Sequence, residues 1–309
     1  MSYKLPLMRH VANPILTPED MPFRCYTVMN SGATMYQGKV VLLLRVEYCD
    51  RRTYFHVATS DDGVKFTVNP KAINYPLSVT EEVVGPAHRF DMRITHFEEE
   101  NKYYIFHAAW MGTHGCGIGL CETTDFVDFK PLGHISPPSN RNGVLFPRKI
   151  NGRYCRLDRP QNIDGTGIMW VSWSDDMDMW GHSLPILQKR NDWNKHKIGA
   201  GCIPIETEHG WLLIYHATAH TCSTENYHLG AMLVDLNEPH KIISDPQEFI
   251  LAAEKDYECI GQTPNVVFTG GAVIMPDGML NVYYGGADTR MCLAQTTVAE
   301  LTQWCLERK

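Results

Sequence analysis

The sequence predicts an all-β fold, a five-bladed β-propeller with a short C-terminal helix. Three observations carry it: a strand pattern that recurs five times, a turn motif that follows the first three copies, and helical periodicity at the C-terminus. In each copy a turn pair containing Gly or Asn leads into an apolar, aromatic-rich run that ends in polar residues. The copies run from Tyr36 to Arg45, Glu100 to Ala109, Asn151 to Arg159, His209 to His216 and Asp277 to Asp288. Strand-rich units repeating every fifty to seventy residues or so match propeller blades of about four strands each. Five such units account for residues 1–309 as a single domain. The competing reading is an irregular β-sandwich with coincidental hairpins.

The elements follow in order. In the first unit Leu42-Leu43-Leu44 is a run that belongs in the interior, so the Arg45 that ends it is hard to explain as a surface residue. Ser60-Asp61-Asp62 to Phe66, Thr123 to Phe129 and Ser174 to Trp180 are Ser/Thr-x-Asp turns closed by an aromatic residue, as expected between strands. The third unit lies in Asn140 to Pro160, which holds five arginines and Lys149. There Gly143 to Phe146 is a short apolar run, Asn151-Gly152 is a two-residue hairpin turn, and Tyr154 to Leu157 alternates like a strand. Arg141 and Arg159 fall at the outer ends of two paired strands, a candidate anion site. The plain alternative is a solvated basic hairpin. After the fourth copy, Gly230 to Leu236 reads as a further strand. At the C-terminus Thr297 and Glu300 have capping-box spacing, and Val298, Leu301, Cys305 and Leu306 form an apolar stripe.

Composition removes several function classes. A net charge of −7 and a pI near 6.0 give no basic face for nucleic acid. No segment has the apolar length of a signal peptide or a membrane span, so the expected location is the cytoplasm, with no membrane partner. The ten cysteines are scattered without a Cys-x-x-Cys pair and are expected to be reduced thiols packed as small apolar residues.

Polar residues close the recurring strand in four units: Arg45, Arg159, His216 and Asp288. Read as the inner strand of each blade, it brings these side chains together at a central axis. Lys197 opens Lys197-Ile-Gly-Ala-Gly201, read as a flexible turn where backbone approaches a ligand closely, though the order of a phosphate P-loop is absent. Asp91, between Arg89 and Arg93, serves equally as a candidate acid or as one half of an Asp–Arg structural pair. His216, His220 and His228 are close in sequence, but no metal-ligand spacing is present and no metal is expected.

With these residues assembled, the chain resembles glycoside hydrolase family 130, five-bladed propellers that include β-mannoside phosphorylases. The resemblance runs from about Asn13 to Asp288 and is carried by Asn140 to Gly152, Lys197 to Gly201, Gly210 to His216, Tyr257-Glu258, Pro264 to Phe268 and Tyr283 to Asp288. It implies Asp91 as the general acid. It implies phosphate binding by Arg141, Arg159, Lys197 and His216, with Tyr227 at a further contact. It implies contacts to the mannosyl unit from Asn30, Ser31, Arg45, Asn142 and Asp288. Family members that hydrolyse lack much of the basic set, and this chain keeps all four groups. The chain departs from the family pattern at Phe90, Met92 and Ala217, and in the loop 217–227 that carries Glu225.

The expected activity is thus inverting phosphorolysis of a terminal β-mannoside, giving α-mannose 1-phosphate and a shortened sugar. The partners are a β-mannoside oligosaccharide and inorganic phosphate, without cofactor; oligomeric state is left open, a homo-oligomer included. An inverting β-mannosidase with Glu225 or another carboxylate as base, and a non-catalytic glycan-binding propeller, are the rival readings.

Overall fold

A computed structural model describes residues 5–308 except Pro86, Lys189 and Ser223. Five antiparallel sheets succeed one another along the chain. The first joins Cys25–Tyr36, Lys39–Tyr48, Thr53–Ser60 and Thr67–Val68; the second joins His88–Phe97, Lys102–Trp110, Cys116–Thr123 and Lys130–His134. The third joins Asn140–Leu145, Tyr154–Pro160, Trp170–Ser174 and Gly181–Pro185. The fourth is built on Lys197–Ala200, Gly210–His220, Glu225–Val234 and Ile242–Ser244, with Ile205–Thr207 and Leu251–Ala252 added. The fifth joins Val267–Ile274, Met279–Gly286 and Arg290–Thr297, and the N-terminal strand Met8–Arg9 completes it. The predicted five-bladed propeller is what forms.

Five apolar clusters, one between each pair of neighbouring sheets, hold the ring together. Val41 and Leu43 pack with Ile94 and Ile105 of the second sheet, while Leu42 and Leu44 pack with Tyr283 and Leu293 of the fifth. Likewise Leu213 and Tyr215 face the third sheet, and Leu212 and Ile214 face the fifth. Each central strand is therefore buried on both faces. That is why these strands read as unbroken apolar runs instead of alternating ones.

One expectation is corrected here. The recurring strand is the second of each sheet, not the innermost. The first strands, those starting at Cys25, His88, Asn140, Lys197 and Val267, pack against one another in the middle. They come so close that a Cβ on Gly271 would lie 2.4 Å from the Ala33 nitrogen. Four of them lose register at one level: between Met29 and Gly32, Phe90 and Arg93, Arg141 and Val144, and Thr269 and Gly271. In the first three the bulge holds a left-handed residue, Asn30 (φ 47°), Asp91 (φ 55°) or Asn142 (φ 58°). Asn and Asp tolerate that region best among residues with a side chain.

The turns and caps behave as their sequences predict. Asp62 and Asp125 each accept backbone N–H groups two and three residues on. Asn151 (φ 52°) and Gly152 (φ 77°) take the positive angles of a tight hairpin turn. The C-terminal helix Val298–Glu307 is capped by Thr297 and Glu300, with Leu301 and Cys305 buried beneath it. The sequence did not reveal the short helix Val79–Val84 or the two-residue closing strand. Arg9 of that strand is bound by the buried Glu258 through Nε (2.7 Å) and Nη2 (2.9 Å), which ties ring closure to the segment before the fifth sheet. All ten cysteines are free; Cys116, Cys121, Cys155, Cys202, Cys292 and Cys305 are buried, whereas Cys49 and Cys222 are exposed. Among the described residues no helix is long and apolar enough to cross a membrane.

Candidate active site

The bulges and the C-terminal halves of the second strands deliver their polar side chains to one place; Arg45 and His216 do not end their strands as the sequence suggests, since pairing continues to Tyr48 and His220. Asn30, Arg45, Phe90, Asp91, Tyr227, Val266, Phe268 and Asp288 line a cavity of about 160 Å³. A larger groove, about 990 Å³, lies between the closing strand and the C-terminal helix and holds none of the expected site residues.

One half of the site is acidic. Asp91 Oδ1 accepts Arg45 Nη1 at 3.1 Å and Asn30 Nδ2 at 3.3 Å. The same Asn30 amide donates to Asp288 Oδ1 at 3.2 Å, so one NH₂ group bridges two carboxylates. Burial pushes the Asp288 carboxyl up from its ordinary value; Arg45 opposes the shift and Asp91 adds to it. Asp288 and Ala287 also take left-handed backbone, at φ 48° and 49°. Three left-handed residues, Asn30, Asp91 and Asp288, thus line one cavity, the kind of clustering of strained backbone found at functional sites. Ser31 is fully buried, and its Oγ has no hydrogen-bond partner in the protein.

Asp91 does not pair with the arginines that flank it in sequence. Arg89 is engaged by Glu81 through Nε (2.8 Å) and Nη2 (2.6 Å). Arg93 gives Nη1 to the Asp91 main-chain oxygen at 2.7 Å, and Nε and Nη2 to the Gly201 and Ala200 carbonyls, both at 3.1 Å. Arg93 thereby pins the left-handed bulge to the fourth sheet. In place of the expected Asp–Arg neighbours, the acid's cation is Arg45, from the first sheet.

The other half is basic. Arg141 and Arg159 face each other in register, as the hairpin pattern predicts. Arg159 is 4% exposed, and its Nε and Nη1 have no hydrogen-bond partner in the protein; neither has Arg141 Nε. Burial, followed by the neighbouring Arg141, holds Arg159 at about 10, well below its ordinary value. His216 is buried beside them. Burial, then the charges of Arg159, Arg93 and Lys197, keep its pKa well below the ordinary value, so the ring is neutral. Tyr227 stacks near His216 with ring centroids 6.3 Å apart, and burial, then Glu225, raise its phenol pKa, leaving it a neutral donor.

Lys197 to Ala200 forms a strand, not the flexible turn its glycines suggest. The glycine serves proximity: a Cβ on Gly199 would sit 2.7 Å from the His216 ring and 2.9 Å from Asn142 Oδ1. Lys197 Nζ is ion-paired with Glu225 Oε2 at 2.8 Å. Glu225 Oε1 also takes Thr218 Oγ1 and His196 Nδ1, both at 2.6 Å. Burial alone would raise Glu225, but these hydrogen bonds, led by Lys197, outweigh it and hold the carboxyl at about 2.

His216, His220 and His228 do not form a cluster. His228 turns to Trp193 and Phe249, while His220 meets His196. The remaining arginines of the basic hairpin are structural: Arg148 pairs with Glu206, Arg153 with Asp175 and Arg156 with Asp158. Sequence reasoning missed Arg93 as the clamp on the bulge, Phe90 and Phe268 as the apolar walls, and His196. Adjacency to Asp91 and Lys197 was the only signal for the first and last. Phe90 stood out only as a departure from the family pattern, and Phe268 looks like any core aromatic.

Comparison with known proteins finds relatives over nearly the whole chain. A family model described as beta-1,4-mannooligosaccharide phosphorylase matches residues 8–307. A beta-1,4-mannooligosaccharide phosphorylase of Ruminococcus albus is 35% identical over 308 residues, covering 96% of this chain and 90% of its own. A 4-O-beta-D-mannosyl-D-glucose phosphorylase of Bacteroides fragilis is 30% identical over 331 residues, covering 98% and 84%. The solved structure of a beta-1,2-mannobiose phosphorylase of Listeria innocua, in complex with beta-1,2-mannobiose, superposes with a TM-score of 0.87 at 28% identity, covering 97% of this chain and 99% of that one.

Proposed function

Because the chain belongs to glycoside hydrolase family 130, we propose that it is an inverting β-mannoside phosphorylase. The observation that carries this reading is Arg159, a buried guanidinium with two donor atoms unpartnered and a second guanidinium in register beside it. Taking a cation out of water costs several kcal/mol unless an anion meets it. Inorganic phosphate, with several acceptor oxygens and up to two charges, answers Arg141, Arg159 and Lys197 together. Neutral His216 and Tyr227 add hydrogen bonds without adding charge.

In the proposed reaction the mannosyl unit occupies the acidic half, against Asn30, Ser31, Arg45, Asn142 and Asp288. A phosphate oxygen bonds to C1 as the C1–O glycosidic bond breaks, with inversion. Asp91 supplies the proton to the leaving oxygen, by way of the mannosyl 3-hydroxyl as in the family the chain resembles. Arg45 and Asn30 hold the carboxyl in place, and Arg93 holds its backbone. The cations keep the nucleophile against C1, which is where such an enzyme gains most of its rate. The chemistry so written uses no metal or organic cofactor.

An inverting hydrolase would need a second carboxylate to activate water. Glu225 is poorly suited to that task. Both of its oxygens are taken by Lys197, Thr218 and His196, and a carboxyl held at about 2 is a weak base. Incubating the protein with β-1,4- and β-1,2-linked manno-oligosaccharides, with and without inorganic phosphate, tests the proposal. Phosphate-dependent appearance of α-mannose 1-phosphate is expected; free mannose released at the same rate without phosphate would refute it.

A further inference from the structure

The carboxylate that pairs with Lys197 also belongs to a cluster that the proposed reaction leaves unused. Strand pairing sets His220 opposite Glu225 at the open end of the fourth sheet. His196, immediately before that sheet's first strand, reaches the same point. Glu225 Oε1 lies 2.6 Å from His196 Nδ1 and 4.0 Å from His220 Nε2. The two imidazoles turn Nε2 toward Nε2 at 3.1 Å, with ring planes at 80°. Among the described residues this is the one group of three or more His, Cys, Asp or Glu whose ligand atoms all lie within 4.8 Å of one another.

We propose that His196 and His220, with Glu225 as the carboxylate that orients His196, form a site for a divalent transition-metal ion of the zinc class. The spacing fits. Tetrahedral zinc with Zn–N bonds of about 2.0–2.1 Å sets two nitrogens about 3.3 Å apart, close to the separation of the two Nε2 atoms. Imidazole selects zinc, nickel or copper over magnesium or calcium. His196 binds through Nε2 while its Nδ1–H donates to Glu225, the carboxylate–histidine–metal chain that fixes the tautomer and aims the ring. Lys197 and Thr218 hold that carboxylate in turn. The His220 side chain is 55% exposed, so water can reach the ion and fill its remaining positions. The alternative is a histidine pair that shares a proton across the 3.1 Å contact and takes up no stoichiometric metal.

The test is isothermal titration of zinc chloride into the full chain, freed of metal by chelator and dialysed into phosphate-free buffer. One ion per chain is expected, with binding at least about tenfold weaker in both His220→Ala and Glu225→Gln. Thermal unfolding of each variant, without metal, confirms that the fold is intact. No one-to-one binding by the wild type, or a folded His220→Ala chain that binds zinc within about tenfold of wild type, overturns the site. Because the readout is metal binding and not turnover, the site stands or falls separately from the phosphorolysis reading.

Discussion

Replacing Arg159 with Met separates a ligand-binding arginine from a structural one, because the two roles predict opposite signs for stability. Arg159 is 4% exposed, and two of its donor atoms have no protein partner. The fall of its pKa to about 10 corresponds to roughly 3 kcal/mol by which the fold disfavours the charge. Met fills similar volume without the charge, and such replacements of buried ions by apolar side chains are commonly neutral or stabilising by about 1–4 kcal/mol. At about 2 °C per kcal/mol for a chain of this size, Tm should rise by about 2–8 °C. Activity should move the other way. Two charge-assisted hydrogen bonds to phosphate, about 1.5–3 kcal/mol each, are lost. The loss of 3–6 kcal/mol lowers kcat/KM for phosphate by about two to four decades. Thermal scanning and a coupled assay for mannose 1-phosphate read both effects. A Met variant that melts lower yet keeps its phosphate KM would show that Arg159 serves the fold, and the anion-site argument would fail.

Further perturbations probe the neighbouring groups. Asp91→Asn should lower kcat by about two to four decades while leaving the KM for phosphate nearly unchanged, as steady-state kinetics in both substrates would show. Gly199→Ala places a methyl against the His216 ring and Asn142 Oδ1, so the KM for phosphate should rise about tenfold or more, with a smaller change in Tm. Glu81→Gln breaks the buried pair with Arg89 and should cost about 3–5 kcal/mol in urea unfolding. Burial alone would raise Glu81, yet Arg89 and Ser78 hold it at about 2, so its stabilisation is fully present above about pH 4.5 and is lost as pH falls toward 2. The wild type should therefore lose more stability than the variant over that range.

The sequence revealed the fold well because each central strand is packed between two neighbours, which writes an unbroken apolar run at every repeat. Leu42, Leu43 and Leu44 are legible for that reason. The turns were legible because Asp62, Asp125, Asn151 and Gly152 act on their own backbone within a few residues. Closure was not legible. Met8–Arg9 is a two-residue strand, too short for any periodicity, and its stabilising partner Glu258 lies 249 residues away. The partner of Asp91 was hidden in a similar way. Asp91 has arginines on both sides in sequence, but a bulge turns its carboxyl toward Arg45, forty-six residues earlier, and leaves Arg93 on its carbonyl.

That bulge explains how a repeating architecture produces a site that does not repeat. A regular inner strand would alternate its side chains between the two neighbouring sheets, and a polar residue there would be buried against apolar packing. An inserted left-handed residue interrupts the alternation at one level, and three sheets place Asn30, Asp91 and Asn142 at that interruption. The second strands, which stay regular, contribute residues from their C-terminal halves: Arg45, Arg159 and His216. Acid and amide groups thus come from the irregular strands, and two arginines and a histidine from the regular ones. The equivalent position of the fifth sheet carries Gly270 instead, where a Cβ would lie 3.0 Å from the Ser31 carbonyl. A side chain on that bulge would press on the Ser31 and Met92 carbonyls. The acidic residue of the fifth sheet must come from beyond its second strand, which is where Asp288 stands.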